Sequence, residues 1–339
     1  TRKESSAASD VYKRQDRAMQ SPHLLDVIEL IESFGKPVVA ALHGAAMGGG
    51  LELALGCHYR VASAGTRLAL PEVKLGLLPG AGGTQRLPRV LGVEAALNLI
   101  LSGEAVLAEA VARLPGQKLL DLLVSDPQQL RDAAVSFARS VAADRPLPQV
   151  RRLPAGHPQG AAFFQFARNT ARAMAPHVPA PLACVDAVEA ATTRPFEAGL
   201  AYERERFMGL MYTPVSRALR HVFLAERGTA RIADVPDDTP RRPVLAVGVV
   251  GAGTMGSGIA VNFLDAGLPV ALLESSAEAL ERGTAAVTRI FEGRVKKGKL
   301  SAEACTQRLA LLQPTLDDSD LGRADLLIEA VYELSLIHI

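Results

Sequence analysis

The sequence has few cysteines, almost no net charge and no long apolar run. Its three cysteines, Cys57, Cys184 and Cys305, lie far apart without metal-ligand spacing, which indicates a reducing compartment and no disulfide framework. Because 37 basic residues face 36 acidic ones, the formal net charge is +1, and neither nucleic-acid binding nor a membrane-surface role is indicated. No apolar stretch approaches the roughly 20 residues of a membrane span.

The two ends of the chain do not read as protein that evolved to fold. Residues 10–15 are encoded by GAT GTG TAT AAG AGA CAG, and the reverse complement of that DNA encodes residues 334–339. This DNA resembles the transposon end used to prepare sequencing libraries. We therefore expect residues 1–15 and 334–339 to be foreign, and the rest to be an internal fragment of a longer protein.

Between those ends, strand and helix patterns alternate, which predicts an α/β protein. The 339 residues, 48% of them hydrophobic, are enough for two domains with their own cores. Helical patterns dominate residues 87–126, including 119–124. Prolines mark a connection at 144–159 and a second one at 234–242, which we predict to be a domain boundary.

Residues 36–84 combine an apolar strand pattern with two glycine-rich turns. The strand pattern at 37–42 leads into the triplet 48–50, which precedes a helix and would expose backbone N–H groups beside a positive helix end. Taken alone, such a triplet is more typical of a tight turn with close helix packing. The second glycine-rich turn is at residues 79–84.

Two glutamates, Glu52 and Glu72, lie in apolar sequence beside these turns. Burial there would raise the pKa of a carboxyl group, so that one glutamate could stay protonated as an acid while the other acts as a base. A single glutamate is more often a solvated charge, and single histidines such as His43 and His58 are more often core residues. The pair of glutamates therefore predicts acid/base chemistry beside amide donors, without a role for the histidines.

A second glycine-rich motif follows a buried strand pattern at residues 244–250. Gly251, Gly253 and Gly256 form GxGxxG before a helical pattern, and Glu274 follows the next strand 18 residues after Gly256. The glycines would allow a tight turn, approach of a pyrophosphate and close helix packing, in that order. Glu274 would accept hydrogen bonds from ribose hydroxyls and repel a 2′-phosphate, which favours NAD over NADP. A glycine turn without a ligand is the alternative.

Four motifs of the first half resemble the crotonase family, the enoyl-CoA hydratases. They are residues 36–44, 48–54, 70–72 and 76–87. The resemblance implies a crotonase-like domain, a ββα superhelix, that hydrates a 2-trans-enoyl-CoA to the 3-hydroxyacyl-CoA. It implies that the Gly49 amide donates to the thioester oxygen, and that the Gly80 amide helps to position the water.

In this family Glu52 and Glu72 would hold the water and exchange its proton with the substrate α-carbon. Isomerases of the family characteristically keep one acid, so the presence of both favours a hydratase, with isomerase activity as an alternative. The resemblance also places a second oxyanion donor and much of the CoA contact surface upstream of Asp16. We expect both to be absent from this chain.

The second half resembles the 3-hydroxyacyl-CoA dehydrogenases at residues 248–256 and 328–333. The resemblance implies NAD as cofactor, bound by the residues of the glycine loop and two acids: Gly251, Gly253, Thr254, Met255, Gly256, Glu274 and Glu329. The catalytic histidine of this family and its glutamate partner come well after residue 333, so we expect both to be absent. His338 belongs to the foreign end.

The helices between the two halves resemble the connecting helices of multifunctional fatty-acid β-oxidation proteins. We therefore predict an N-truncated hydratase domain at 16–178, linker helices at 179–243 and the start of a Rossmann domain at 244–333. The longer protein would hydrate enoyl-CoA and then oxidise the product to 3-ketoacyl-CoA with NAD. For this chain alone, the alternative is a module that binds NAD or CoA without turnover.

The expected partners are acyl-CoA substrates, with no metal, nucleic acid or membrane span. The resemblance leaves an oligomer or a thiolase partner open. The expected location is the bacterial cytoplasm, or the peroxisome if the source is eukaryotic.

Overall fold

The computed structural model describes residues 22–229, 234–236, 238–240 and 242–331. The predicted foreign ends, and Tyr332 and Glu333 of the predicted strand motif, lie outside the described residues. The chain divides into two compact α/β units, residues 1–232 and 233–339. Within the described ranges, every helix is too short or too polar to cross a membrane.

The first unit contains short strands connected mostly by helices. Its helices and strands are α1 (Leu24–Glu32), β1 (Val39–Leu42), β2 (Ala45–Met47), α2 (Gly49–Gly56), β3 (Tyr59–Ser63), β4 (Arg67–Ala69), α3 (Gly83–Leu91), α4 (Val93–Ser102), β5 (Val106–Leu107), α5 (Ala108–Ala112), β6 (Leu122–Val124), α6 (Leu130–Ser140), α7 (Ala161–Met174), α8 (Ala180–Thr193), α9 (Phe196–Met211) and α10 (Pro214–Thr229). Three 3₁₀ turns supplement them: Pro71–Leu75, Pro127–Gln129 and Val150–Arg152.

The strands of this unit form two small sheets. One has the order β1-β3-β6 and is parallel throughout, and the other has the order β2-β4-β5 with only β4 and β5 antiparallel. The first glycine-rich turn directly follows β2, and the 3₁₀ turn Pro71–Leu75 directly follows β4. Because β2 and β4 pair, the first glycine-rich turn and the 3₁₀ turn lie at neighbouring strand ends.

The helical prediction for residues 119–124 is wrong, since none of these residues lies in a helix. Residues 122–124 form β6, and Leu122 pairs with Val61 of β3. Leu119 and Leu120, just before the strand, are buried in the core. A short apolar run fits a buried strand and a buried helix equally well, so its periodicity could not decide between them.

The helices predicted as a linker pack into the first unit. α8 contacts α3, α4, α7 and α9. Most of its buried side chains are small, which lets other helices approach closely on several sides: Ala180, Cys184, Val185, Ala187, Val188, Ala190 and Ala191. α10 contacts the 3₁₀ turn Pro71–Leu75, where the Ser216 hydroxyl donates to the Leu75 carbonyl at 2.8 Å. Residues 180–229 are therefore part of the same compact body as residues 22–178.

The second unit is a parallel sheet with helical connections. Its elements are β7 (Val247–Val250), α11 (Thr254–Asp265), β8 (Val270–Leu273), α12 (Ala277–Lys296), α13 (Ala302–Leu309), β9 (Leu312–Thr315), a 3₁₀ turn (Asp318–Arg323) and β10 (Leu326–Glu329). The strand order is β10-β7-β8-β9. The order reverses between β7 and β10, and in such sheets ligands bind at the carboxyl ends of the strands beside the reversal.

Replacement of Leu210 by alanine tests the packing of α9. Leu210 is 6% exposed in the core of the first unit. The Leu210→Ala substitution should lower the free energy of unfolding of that unit by about 2–5 kcal/mol, because it leaves a cavity. Urea unfolding measures this change, with Val222→Ala as the control because Val222 is 51% exposed on α10. Equal effects of the two substitutions would contradict the packing of α9 into the core.

Candidate active site and nucleotide site

Glu52 lies in the first turn of α2 and is held by the second glycine-rich turn. Its side chain is 3% exposed. Its Oε1 atom accepts hydrogen bonds from the backbone amides of Ala81 at 2.7 Å and Gly83 at 2.9 Å. A Cβ atom at residue 83 would lie 2.8 Å from this oxygen, so a glycine there lets the backbone approach the carboxylate.

Glu72 lies in the 3₁₀ turn Pro71–Leu75, close to the other glycine-rich turn. A Cβ atom at Gly48 would lie 2.7 Å from its Oε1 atom. Its Oε2 atom is buried and has no hydrogen-bond partner among the described residues. Burial, followed by the charge of Glu52, raises the pKa of Glu72 to about 8. The structure therefore brings the two predicted acids together and leaves one oxygen of Glu72 available.

Opposing effects act on the pKa of Glu52. Burial raises it above the ordinary value, while the hydrogen bonds from Ala81 and Gly83 and the charge of Arg86 lower it. Arg86 is itself buried and bonds to both carboxylate oxygens of Glu32, from Nε at 3.0 Å and from Nη2 at 2.7 Å. This paired guanidinium places a fixed positive charge beside the acids and links α3 to α1.

The two glycines predicted to supply amide donors each adjoin a residue that lies against one of these carboxylates: Gly49 follows Gly48, and Gly80 precedes Ala81. Gly48, with φ 54°, precedes α2, and its carbonyl accepts from the amides of Leu51 and Glu52. Gly49 is the first residue of the helix, so its amide has no acceptor within the helix. At Gly80, a Cβ atom would lie 2.5 Å from the ring of Phe207, so the backbone packs directly against that ring.

Sequence reasoning missed three residues that surround this site: Arg86, Glu203 and Phe207. Glu203 is fully buried on α9 and accepts hydrogen bonds from the amides of Gly82 and Thr84. The missed signal is a four-residue spacing of Gly199, Glu203 and Phe207, which places a small residue, an acid and an aromatic ring on one helix face. The prediction of residues 179–243 as linker helices gave no reason to look for a buried site-facing pattern on this helix.

The predicted NAD loop joins β7 to α11. Gly251 has φ 99°, and its amide donates to the Leu273 carbonyl at 2.8 Å. A Cβ atom at Gly256 would lie 1.7 Å from the Gly251 carbonyl oxygen, so only glycine permits this packing. A Cβ atom at Gly253 would have no atom within 4 Å. The loop is therefore tight at its two outer glycines and open at the middle one.

Glu274 follows β8 and binds the same loop. Its Oε2 atom accepts from the Ala252 amide at 2.8 Å, and its Oε1 atom accepts from the Ser275 amide at 2.8 Å. The bonds from Ser275 and Ala252 lower the pKa of Glu274, which favours the carboxylate form. An ionised carboxylate at the end of β8 is suited to accept hydrogen bonds from a ribose.

The carboxyl ends of β7 and β8 open onto a cavity of about 750 Å³. Gly251, Gly253 and Glu274 are among its lining residues. Thr254 lines an adjoining cavity of about 370 Å³. Gly256 is buried beneath the loop, and Met255 and Glu329 are exposed and line neither cavity.

These residues fit NAD. The open side of Gly253 at the start of α11 provides amide donors and room for a pyrophosphate. The carboxylate of Glu274 provides acceptors at the end of the neighbouring strand. The loop thus has the local features that a dinucleotide needs.

Comparison with known families divides the chain in the same way. Residues 6–151 match the family described as enoyl-CoA hydratase/isomerase. Residues 246–337 match the family described as 3-hydroxyacyl-CoA dehydrogenase, NAD binding domain. The second unit thus contains an NAD-binding domain.

Several curated proteins match across both units. The peroxisomal bifunctional enzymes of Homo sapiens and Cavia porcellus are 42% and 39% identical over 322 and 316 residues, which are 92% and 91% of this chain. A glyoxysomal fatty acid beta-oxidation multifunctional protein of Brassica napus is 38% identical over 320 residues, 91% of this chain. The chain spans 42%, 42% and 43% of the lengths of these relatives, respectively.

The order of the two matched families along this chain is the one predicted from its motifs. The first match lies within the first unit and the second match within the second unit, and the relatives align across both. The chain is therefore a homologue of the bifunctional and multifunctional β-oxidation enzymes, with enoyl-CoA hydratase/isomerase sequence in its first unit and the NAD-binding domain of a 3-hydroxyacyl-CoA dehydrogenase in its second.

Proposed function

We propose that the first unit hydrates 2-trans-enoyl-CoA to 3-hydroxyacyl-CoA, with Glu72 as the acid and Glu52 as the base. The observation that carries this proposal is the contrast between two neighbouring buried carboxyl groups. Glu52 is bound by two backbone amides, whereas the Oε2 atom of Glu72 has no partner in the described part of the chain. Two carboxyl groups in different surroundings can divide the roles of acid and base.

Their surroundings assign the two roles. A pKa of about 8 keeps a proton on Glu72 at neutral pH, where it can be given to a substrate carbon. Burial raises the pKa of Glu52 too, but the two amides that bind its Oε1 atom and the charge of Arg86 lower that pKa and stabilise the charged form. An ionised Glu52 can take a proton from water.

The hydration step then balances within this site. The water oxygen forms a bond to the β-carbon of the enoyl group, and Glu52 takes the proton that the water loses. The α-carbon receives the proton of Glu72, so the double bond becomes a single bond. During the addition, negative charge develops on the thioester oxygen, and an amide at the start of α2, that of Gly49, is suited to stabilise it. We propose that the Gly80 amide holds the water.

An isomerase is the second candidate for the same site. Shifting a double bond requires one group that moves a proton between two carbons, whereas hydration also requires a group that activates water. Glu52 and Glu72 are two interacting buried carboxyl groups, which supports hydration as the main activity.

For the longer protein, we propose that the 3-hydroxyacyl-CoA is then oxidised to 3-ketoacyl-CoA. NAD, when bound, accepts the hydride in this oxidation. The part of this chain in the reaction is to hold the cofactor: Gly251 forms the turn, Gly253 admits the pyrophosphate, and Glu274 accepts from the ribose. We propose cofactor contacts for Thr254, Met255, Gly256 and Glu329 as well. A chain that binds NAD or CoA without turnover is the alternative for this fragment.

We propose acyl-CoA thioesters as the substrates and the bacterial cytoplasm as the location, with the peroxisome for a eukaryotic source. The names of the relatives support the second location, since they are peroxisomal or glyoxysomal. An oligomer or a thiolase partner stays open. We also propose that the hydratase domain extends from residue 16 through α10, beyond the predicted end at residue 178, and that the Rossmann domain begins at residue 244.

Replacement of Glu72 by glutamine tests the hydratase proposal. The Glu72→Gln substitution keeps the size of the side chain and removes its transferable proton, so hydration of crotonyl-CoA should slow by about 10²–10⁴-fold. The measurement is the loss of enoyl absorbance by the full chain. Glu94→Gln is the matched control because Glu94 is exposed on α4. Turnover by the Glu72 variant equal to that of the control would contradict the assignment. A 3-enoyl-CoA assay would reveal an isomerase.

Replacement of Gly253 by alanine tests the nucleotide site. A Cβ atom at this position meets no other atom within 4 Å, so the fold should accept it. The added methyl group would occupy the space through which the pyrophosphate reaches the backbone, and NADH should bind at least about tenfold more weakly. Gly258→Ala is the matched control, since a Cβ atom there also has open space. Equal NADH affinities in a fluorescence titration would exclude Gly253 from the site.

A further inference from the structure

Four successive backbone amides of the second glycine-rich turn bind two carboxylates in alternation. Ala81 and Gly83 donate to Glu52. Gly82 donates to Glu203 at 2.6 Å, and Thr84 donates to it at 3.0 Å. The backbone from residue 81 to residue 84 therefore lies between a carboxylate of α2 and a carboxylate of α9.

The conformation of this turn leaves little freedom. Gly82 has φ 96°, which only glycine adopts readily. A Cβ atom there would lie 1.8 Å from Nη1 of Arg86, and the same nitrogen donates to the Ala81 carbonyl at 3.3 Å. Glu203 also accepts from the Thr84 hydroxyl, so three donors of the turn meet one carboxylate. A shift at Gly82 or Thr84 would move the intervening amide of Gly83, which binds Glu52.

Three residues on one face of α9, spaced four apart, contact the turn or the residue that follows it. A Cβ atom at Gly199 would lie 2.2 Å from the side-chain oxygen of Gln85, so a glycine at this position leaves room for the Gln85 side chain. Four residues later Glu203 binds Gly82 and Thr84, and after four more Phe207 packs against Gly80. These three contacts set the position of the turn relative to α9.

From this geometry we propose that Glu203 is a positioning residue for the hydratase reaction: it holds the turn so that its amides meet Glu52 and the water. The proposal rests on the proposed hydratase function. Glu203 acts through the backbone and through Glu52, so it should determine the rate of turnover more than the binding of the substrate. The substrate class stays the acyl-CoA thioester of the proposed function.

The charges around Glu203 give the proposal a second consequence. Each element packed around Glu203 contributes one titratable or charged group that interacts with it. These groups are Glu52 of α2, Glu72 of the 3₁₀ turn, Arg86 of α3 and Cys184 of α8. α10 contacts the far end of α9, where Arg220 donates to the Met211 carbonyl. Burial, followed by the charge of Glu52, raises the pKa of Glu203 itself to about 8. In the alkaline range where Glu203 is ionised, its charge raises the pKa of Glu72, so a neutral side chain at residue 203 should let Glu72 lose its proton at a lower pH.

The Glu203→Gln substitution is the first test. Gly82 donates to Oε1 and Thr84 to Oε2, so in glutamine one of these donors would face the NH₂ group instead of an acceptor. The kcat for crotonyl-CoA should fall by about 10²-fold with little change in KM, because the reacting groups are misplaced. The alkaline decline of activity, where Glu72 loses its proton, should move to lower pH. Glu205→Gln, an exposed position of the same helix, is the matched control.

Hydrogen exchange tests the same arrangement without relying on activity. In Glu203→Gln, the amides of Ala81 and Gly83 should exchange at least about tenfold faster than in Glu205→Gln, although neither amide bonds to residue 203. A Glu203 variant that is folded and matches the control in kcat and in exchange would overturn the proposal. A wild-type chain without hydration activity would refute the proposed function, while exchange would still decide whether Glu203 holds the turn.

The Thr84→Val substitution covers the case in which Glu203→Gln does not fold. Valine has nearly the shape of threonine but lacks the hydroxyl group that donates to Glu203. It leaves the Glu203 carboxylate in place, so the alkaline decline should keep its pH while kcat falls and exchange at Ala81 and Gly83 rises. Wild-type kcat and exchange in this variant would contradict the positioning role.

Discussion

The first unit depends on the need to compensate buried negative charge. Glu52, Glu72 and Glu203 surround one glycine-rich turn, and burial raises the pKa of each. Ionised carboxylates are tolerated in such a place only when donors bind them. The turn supplies four amides, and Arg86 supplies a positive charge that is itself paired with Glu32. The requirement for these amides explains the run of small residues in the turn.

The two glycine-rich loops use backbone amides in different ways. In the first unit, amides of residues 81–84 are bound to carboxylates of the protein itself, so the loop is a rigid part of the site. In the second unit, Gly251 and Gly256 pack tightly while Gly253 faces open space. The first loop therefore fixes the two carboxylates that it binds, and the second leaves room for a ligand to approach the backbone. Similar composition serves positioning in one case and binding in the other.

Local sequence patterns predicted those features of the fold and the site that depend on residues close together in the chain. The α/β class follows from alternating strand and helix patterns, and Gly251 to Gly256 were read correctly as a strand–turn–helix junction because all its parts are contiguous. Glu52 and Glu72 stood out because each lies beside a glycine-rich turn. The short strand β6 could not be recognised, since its pairing with β3 involves residues about sixty positions away.

The missed residues share this dependence on distant contacts. Glu203 lies 121 residues from Gly82, and nothing near it in the chain indicates what it binds. Arg86 lies within the family motif at residues 76–87, but its bond to Glu32 spans 54 residues. An acid on a helix is usually solvated, so the sequence alone favoured the ordinary interpretation. Only the tertiary arrangement distinguishes a buried acid that binds backbone amides.

The packing of α9 bears on how such a chain could be assembled during evolution. A segment that carried the two acids but ended before α9 would lack the carboxylate that faces Gly82 and Thr84 and the ring that covers Gly80. Gene fusion or exchange would therefore preserve this site only if the junction fell beyond Met211. The unit of inheritance for the first half of the protein is then larger than the span of its catalytic motifs, and α9 must be transmitted with them.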